Sequence, residues 1–143
     1  MAIRQISVFV ENRRGALAAV TKLLADAGVD LRALSVADTP DYGILRLIVG
    51  DTDKAVGALR EGGFVTTLTN VLAVEVPDEP GGLFRVLDPL NDENVNLEYL
   101  YAFVTGSGRS ACVVLRVQDN ERTEGLLGRA GITLLEESDL KSC

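Results

Sequence analysis

The chain has 143 residues, of which 47% are apolar and 24% are charged, and its formal net charge is −7 at pH 7. The negative charge argues against nucleic-acid binding, because phosphate backbones are bound mainly by clustered Lys and Arg. No apolar run approaches the ~20 residues that span a bilayer, and no signal-like segment opens the sequence. A cytoplasmic protein without membrane contact is therefore expected.

Histidine is absent from the sequence, which excludes Ser-His and Cys-His nucleophile pairs and His-containing zinc sites. The acidic residues are scattered and no P-loop is present, so no catalytic residue, metal site or cofactor is expected. The two cysteines are Cys112, in an apolar strand-like run, and Cys143 at the end. They are interpreted as free thiols rather than as a disulfide.

The first predicted element is a strand in which Ile6, Val8 and Val10 share one face. A glycine-bearing loop follows it. Apolar residues then recur at helical spacing from Leu17 until Gly28, which suits a left-handed C-terminal cap. The pattern predicts a strand, a loop and an amphipathic helix.

Two strands are predicted next, at residues 31–38 and 43–49, joined by a turn that contains Pro40 and Gly43. A second helix is predicted from Asp53 to Glu61, and a last strand begins at Phe64. The order β-α-β-β-α-β is that of a ferredoxin-like unit. This is an α+β fold in which both helices cover one face of a four-stranded antiparallel sheet.

The second half of the chain repeats the first. Residues 11–17 align with residues 77–83, and residues 28–31 align with residues 94–97. This duplication predicts two modules, residues 1–69 and residues 70–143. Pro89 lies inside the first helix of the second copy and is expected to kink or shorten that helix.

Only Thr69 and Asn70 separate the last strand of the first copy from the first strand of the second. This length suits a tight hairpin. Such a hairpin would place the last strand of the first copy in the sheet of the second, with residues 132–136 returning to complete the first. An exchange of fourth strands between the modules is therefore a hypothesis of the sequence analysis.

The repeated strand, glycine loop and helix resemble the ACT domain, a small module that binds amino acids and regulates metabolic enzymes. Pro80 and Gly81 keep the common Pro-Gly of that family, which Arg14 and Gly15 replace in the first copy. Because two copies cover nearly the whole chain, the sequence resembles a free-standing tandem ACT protein. The resemblance implies an allosteric role without catalysis, a small amino acid as ligand, a homodimer, and a metabolic enzyme as a partner.

A ligand site at the glycine loop also has a physical reason. The backbone N–H groups around Gly15, Ala16 and Leu17 lie at a helix N-terminus, where they suit a carboxylate. Resemblance to serine-sensing ACT domains implies that Asn12 or Asp78 of the loop acts with Asp30 or Asn96 across an interface between modules.

The predicted ligand-binding residues therefore belong to two loops and two strand starts. In the first copy they are Asn12, Arg13, Arg14, Gly15, Ala16, Leu17, Asp30 and Leu31, and in the second copy they are Asp78, Gly81, Gly82, Leu83, Asn96 and Leu97. The first loop is expected to bind a carboxylate more tightly, since it carries two arginines where the second carries Asp78 and Glu79.

Other interpretations remain open. Asn12 and Asp78 also suit helix N-caps or turns that bind nothing. Tyr99, Tyr101 and Phe103 alternate along one strand, and such an apolar stripe indicates packing between the copies, a homodimer or a ligand side chain. The alternative function is an adaptor that binds and regulates a metabolic enzyme through its open sheet face, without a ligand of its own.

Overall fold

The computed structural model describes residues 2–38, 40–103 and 110–142. In chain order its elements are β1 (Ile3–Glu11), α1 (Ala16–Asp26), β2 (Leu31–Asp38), β3 (Tyr42–Val49), α2 (Thr52–Glu61), β4 (Val65–Pro77), α3 (Gly82–Asp92), β5 (Leu97–Ala102), β6 (Ser110–Val117), α4 (Asn120–Arg129) and a closing 3-10 helix (Glu137–Ser142). None of the helices in these ranges is long and apolar enough to cross a membrane. The chain divides into two compact units.

The amino-terminal unit, Arg4–Thr69, contains a sheet with the strand order β2-β3-β1-β4. β1 and β2 both pair with β3 in antiparallel fashion, so that Val8 and Val36 lie opposite Leu45. Val8 and Leu45 belong to a buried core that also contains Val20 of α1 and Leu59 of α2. Because strand side chains alternate between faces, both helices cover the same face. The predicted β-α-β-β-α-β order is confirmed.

The carboxy-terminal unit comprises Met1–Ile3 and Asn70–Cys143. Its sheet contains β5, β6 and the second part of β4, with antiparallel pairing throughout. Val74 of β4 also forms an antiparallel bridge with Leu134, so a short segment after α4 acts as the fourth strand. Val74 belongs to a buried core with Val86 of α3 and Leu127 of α4. The second ferredoxin-like module is therefore confirmed as well.

The hairpin expected at Thr69 and Asn70 is wrong, because β4 is one continuous strand. The expected strand exchange is wrong too: the Leu135 N–H donates to Ala73 O at 2.8 Å, and the Glu75 N–H donates to Thr133 O at 3.0 Å. The fourth strand of the second module thus pairs with the first strand of the same module. A two-residue turn needs residues that accept positive φ, whereas β-branched Thr69 favours an extended strand.

Pro89 lies inside α3 without shortening it, since α3 and α1 both have 11 residues. Proline removes one backbone donor, whereas Val86 and Leu90 on the same helix are buried in the core. Packing of the apolar face therefore outweighs the lost hydrogen bond. The left-handed residue predicted after the first helix is confirmed, with φ 71° at Gly28, and Asn94 takes φ 57° at the equivalent position.

The cysteine prediction is wrong for Cys112, which is buried on β6 and disulfide-bonded. Cys143 lies outside the described residues. Two cysteines far apart in a sequence give no information on their distance in space, so composition alone could not reveal the bond.

The aromatic stripe on β5 is covered by the chain itself. Tyr101 is 7% exposed and Phe103 is 9% exposed, and the rings of Tyr99 and Tyr101 stack with centroids 6.4 Å apart. The stripe therefore does not present an open apolar face in the free chain.

The helices provide a paired test of glycine packing. A side chain at Gly82 would collide with the carbonyl oxygen of Pro77, whereas one at Gly57 or Gly125 meets no atom within 4 Å. Gly82→Ala is therefore expected to lower the free energy of unfolding by about 1–3 kcal/mol. Gly57→Ala and Gly125→Ala, on exposed helix positions, are expected to raise it by about 0.5–1 kcal/mol each. Urea unfolding of the three variants measures these changes, and stabilisation by Gly82→Ala would contradict the packing at Pro77.

Candidate functional site

The two glycine loops have the same backbone conformation although their sequences differ. We call residues 12–15 the first glycine loop and residues 78–81 the second. Gly15 has φ 85° and ψ −6°, and Gly81 has φ 85° and ψ −2°. This left-handed conformation costs roughly 1–2 kcal/mol for a residue with a side chain, which accounts for glycine at both positions.

The helices that follow these loops begin without a side-chain cap. The N-cap residues of α1 and α3 are Gly15 and Gly81, so Asn12 and Asp78 do not act as N-caps. By contrast, Asp51 caps α2 by accepting from the Lys54 N–H, and Asp119 caps α4 in the same way. Side-chain capping therefore occurs at α2 and α4 but not at α1 and α3.

Backbone donors are consequently left open at both loops. Within the described ranges, the N–H groups of Leu17 and Ala18 donate no hydrogen bond, and the same holds for Leu83 and Phe84. Ala16, the first residue of α1, is buried, so its side chain is not accessible to a ligand. Two adjacent free N–H groups at a helix N-terminus form a site suited to an anion such as a carboxylate.

Charge around the first glycine loop is positive. The Arg13 guanidinium pairs with the Glu11 carboxylate at 2.9 Å, whereas Arg14 is exposed and makes no ion pair with any residue in the described ranges. Asn12 joins the loop to the turn between β2 and β3: its backbone N–H donates to Asp41 O at 3.2 Å and its Nδ2 donates to Pro40 O at 3.5 Å. The loop is therefore held in place and has one cation available to a ligand.

The second glycine loop repels an anion less strongly than its sequence indicates. The Glu79 carboxylate lies 2.7 Å from the guanidinium of Arg85 on α3, which offsets its charge. Arg85 and Pro77 also line a pocket of ≈ 630 Å³, together with Glu75 and Ile132. This volume is in the range of small-molecule sites. The stronger binding expected of the first loop stays a prediction.

Sequence reasoning missed Arg85 and the pocket beside it. Arg85 aligns with Ala19 of the first copy, and Glu75 aligns with Phe9. Differences of this kind between the two copies were the signal available in the sequence, but only the fold shows that both residues line one pocket.

The glycine loop and the strand-start residue of one module lie at opposite ends of the sheet. β1 ends with Glu11 opposite Tyr42, whereas β2 begins with Leu31 opposite Val49. Tyr42 and Val49 are the two ends of the eight-residue strand β3, so these points are roughly 24 Å apart at ~3.4 Å per residue. Asp30 therefore does not approach the first glycine loop of its own module.

The second module has the same separation, with Pro77 opposite Ser110 and Leu97 opposite Val117. Asn96 thus lies far from the second glycine loop. Leu31 and Leu97 are half-buried and pack against their cores, so they support the strand starts. We call the glycine loop and the strand start of a module its two predicted half-sites. One small ligand cannot contact both of them within a single module.

The carboxylate of Asp30 has a local partner, since it accepts from the Arg32 guanidinium at 3.1 Å. The carbonyl of Asp30 accepts from the Gly50 N–H at 3.0 Å. Asn96 instead lines a small polar pocket at the start of α4. The start of β2 therefore carries an ion-paired carboxylate, whereas the start of β5 carries an amide that lines a polar pocket.

Comparison with protein-family models matches residues 1–143 to the family described as ACT domain pair. Among solved structures, a protein from Bacteroides thetaiotaomicron is 38% identical, with a TM-score of 0.91 and coverage of 98% of this chain and 96% of that chain. No curated protein sequence matches.

Two further solved structures share the fold at low identity. The ligand-free regulatory subunit of aspartate kinase from Thermus thermophilus gives a TM-score of 0.65 at 17% identity, covering 89% of this chain and 91% of that chain. The corresponding subunit from Thermus flavus gives a TM-score of 0.64 at 17% identity, covering 90% of each chain.

The glycine loops occur on repeated ferredoxin-like modules, and the family match extends over the whole sequence. On these grounds the chain belongs to the ACT domain pair family.

Proposed function

We propose that this chain is a non-catalytic regulatory protein that binds a small amino acid at its glycine loops. The main support is that α1 and α3 each begin at a left-handed glycine and have no side-chain N-cap. The other two helices, α2 and α4, are capped by Asp51 and Asp119. An uncapped terminus leaves N–H donors for a carboxylate, which every free amino acid carries.

The regulatory mechanism proposed here is a shift between assembly states. Because a single module keeps its glycine loop and its strand start roughly 24 Å apart, a second copy of the chain is the proposed source of the other half-site. An amino acid that contacts both halves favours the dimer by the difference in its affinity for the two states.

The proposed partner is a metabolic enzyme whose activity follows that shift. The aspartate kinase subunits named above are regulatory subunits, which supports a partner of this general class for an ACT domain pair. The adaptor alternative relies on the open sheet face of the modules, and in the second module Tyr101 and Phe103 are buried within the chain.

A thermal-shift screen against the twenty amino acids tests the proposal. A ligand present at 100 times its Kd is expected to add about 2.7 kcal/mol of stability, which corresponds to roughly 5–10 °C for a chain of this length. A rise confined to one chemical group of amino acids is the expected result. A flat screen, combined with capture of an enzyme by the ligand-free protein, would contradict the sensor function and favour the adaptor.

Substitutions at Gly15 and Gly81 test where the carboxylate of the ligand binds. Gly15→Asp is expected to abolish binding at the first loop, because it places a negative charge where the ligand carboxylate is proposed to lie. Gly15→Asn is the matched control, since Asn has nearly the same shape and also tolerates left-handed φ. Gly81→Asp and Gly81→Asn test the second loop in the same way. Calorimetric titration that finds equal affinity in the Asp variant and the unmodified chain would refute this placement.

Arg85 and Glu79 are expected to change binding at the second loop in opposite directions. Arg85→Gln leaves the Glu79 carboxylate unpaired and should raise the Kd for the amino acid, whereas Glu79→Gln should lower it. The stability of the free protein should change by under about 1 kcal/mol, because the ion pair is exposed. Titrations in a Gly15→Asp background isolate this loop, and shifts of both variants in the same direction would contradict the assignment.

A further inference from the structure

A groove runs between the two helices of the carboxy-terminal unit and has a volume of ≈ 500 Å³. We call it the α3–α4 groove. Its lining residues are Pro89, Asp92 and Glu93 from α3 and its end, and Leu126, Arg129 and Ala130 from α4 and its end. None of these described lining residues belongs to the second glycine loop or to the start of β5. The groove is therefore separate from both predicted half-sites of its module.

The first module fills the same place with a leucine. Pro89 aligns with Leu23 of the first copy, and Ala130 aligns with Gly62. Leu23 packs against the first core, and it lies so close to Gly62 that a side chain at that glycine would collide with it. The ring of a proline is tied back to its own backbone nitrogen, so Pro89 extends less far toward the neighbouring helix. The exchange of leucine for proline leaves the groove of the second module open.

A stripe of exposed residues on α3 borders this groove. Phe84, Asp88 and Asp92 are spaced four residues apart, so they lie on one face of the helix. Phe84 is 65% exposed, and Asp92 lines the groove. At the first two of these positions the first copy has Ala18 and Lys22. The second copy thus exposes an aromatic ring and a carboxylate where the first exposes a methyl group and an ammonium group.

The carboxylates beside the groove have no basic partner among the described residues. Asp88, Asp92 and Glu93 are exposed and form no ion pair there. Asp88 and Asp92 lie one turn apart, and like charges at this spacing destabilise a helix. In the first copy, by contrast, the Lys22 ammonium pairs with the Asp26 carboxylate at 2.6 Å. The acidic groups of α3 are therefore available to a basic partner.

The net charge of the whole sequence arises in this half of the chain. Residues 4–69 contain eight acidic and eight basic residues, whereas residues 70–143 contain thirteen acidic and six basic residues. Such an asymmetry between the halves of a chain indicates a charged partner. Arg129 adds one positive charge to the lining of the groove, which the three carboxylates exceed. The complementary partner is therefore basic.

We propose that the α3–α4 groove docks a basic amphipathic helix of the partner enzyme. The walls of the groove are helices, and an amphipathic helix lays its apolar face into a groove of this kind. Its apolar side chains fill the space between Pro89 and Leu126 and cover Phe84, while its Lys or Arg side chains pair with Asp88 and Asp92. The inference rests on the proposed function, because it places the partner of that function on a defined surface.

A synthetic helical peptide tests this surface. Because α3 rises roughly 12 Å from Phe84 to Asp92, a peptide of about 18 residues is long enough to cover the stripe. The probe has Leu at positions i, i+3, i+4 and i+7 and Lys elsewhere, and it is titrated into the full-length protein by calorimetry. One peptide is expected to bind per chain, more weakly at high salt. Equal binding of a peptide with Glu in place of Lys would overturn the proposal.

Substitutions that copy the first module should weaken binding of the Lys peptide. Pro89→Leu combined with Ala130→Gly is expected to fill the groove and raise the Kd about tenfold or more, as for the loss of one buried apolar side chain. Phe84→Ala and Asp88→Lys lie on the exposed face of α3, so each should raise the Kd while leaving the Tm nearly unchanged. Unchanged affinity in both of these exposed variants would overturn the proposal, whatever the stability of the double variant.

Lys22→Asp in the first module is the matched control. It gives α1 the pair of carboxylates that α3 has, but Leu23 still fills the space beside Gly62. The expected result is an unchanged Kd and no second bound peptide. Binding of a second peptide to this variant would show that charge alone attracts the probe, and would overturn the role of the groove.

Two further readouts separate the alternatives. In Asp88→Lys the thermal shift with amino acids should persist while peptide binding weakens. Absence of peptide binding beside a positive amino-acid screen would overturn the docking surface alone, whereas peptide binding beside a flat screen would support the surface and refute the amino-acid sensor. Self-association that Phe84→Ala abolishes in sedimentation, without peptide binding, would overturn the proposal by showing that a second copy covers this face.

Discussion

Each module of this protein buries one face of its sheet beneath two helices, and the remaining structure depends on that constraint. A helix that covers the sheet must begin at one end of the strands and finish at the other, so every connection lies at one of two ends. The glycine loops therefore fall at one end, and the starts of β2 and β5 at the other. The residues that the sequence predicts as one binding site therefore lie at two separate places in each module.

Features that depend on neighbours along the chain could be predicted from the sequence. The alternation of Ile6, Val8 and Val10 and the helical spacing after Leu17 follow from burial of a single face. The left-handed conformation of Gly28 follows from steric limits on φ. The same patterns occur in both halves of the sequence, which gives each predicted element a second line of support. The fold class and the position of the loops were thus accessible without a structure.

Features that depend on residues distant in the sequence could not be predicted from the sequence. The path of β4 through Thr69 and Asn70 is decided by pairing with other strands, the length of α3 by packing of Leu90, and the bonded state of Cys112 by the fold as a whole. The pairing of Glu79 with Arg85 belongs to the same class, because it offsets one of the negative charges that the loop sequence shows. Periodicity and loop composition carry no information about such contacts.

The continuous strand β4 also bears on the history of the chain. Residues 65–69 belong to one unit and residues 70–77 to the other, so the junction between the duplicated copies is itself ordered backbone within a strand. The junction is extended strand rather than a loop, although Asn70 is exposed. An inserted sequence there would interrupt a strand that supplies residues to both units. The two copies are therefore joined without a linker, and neither can be separated from the other without interrupting β4.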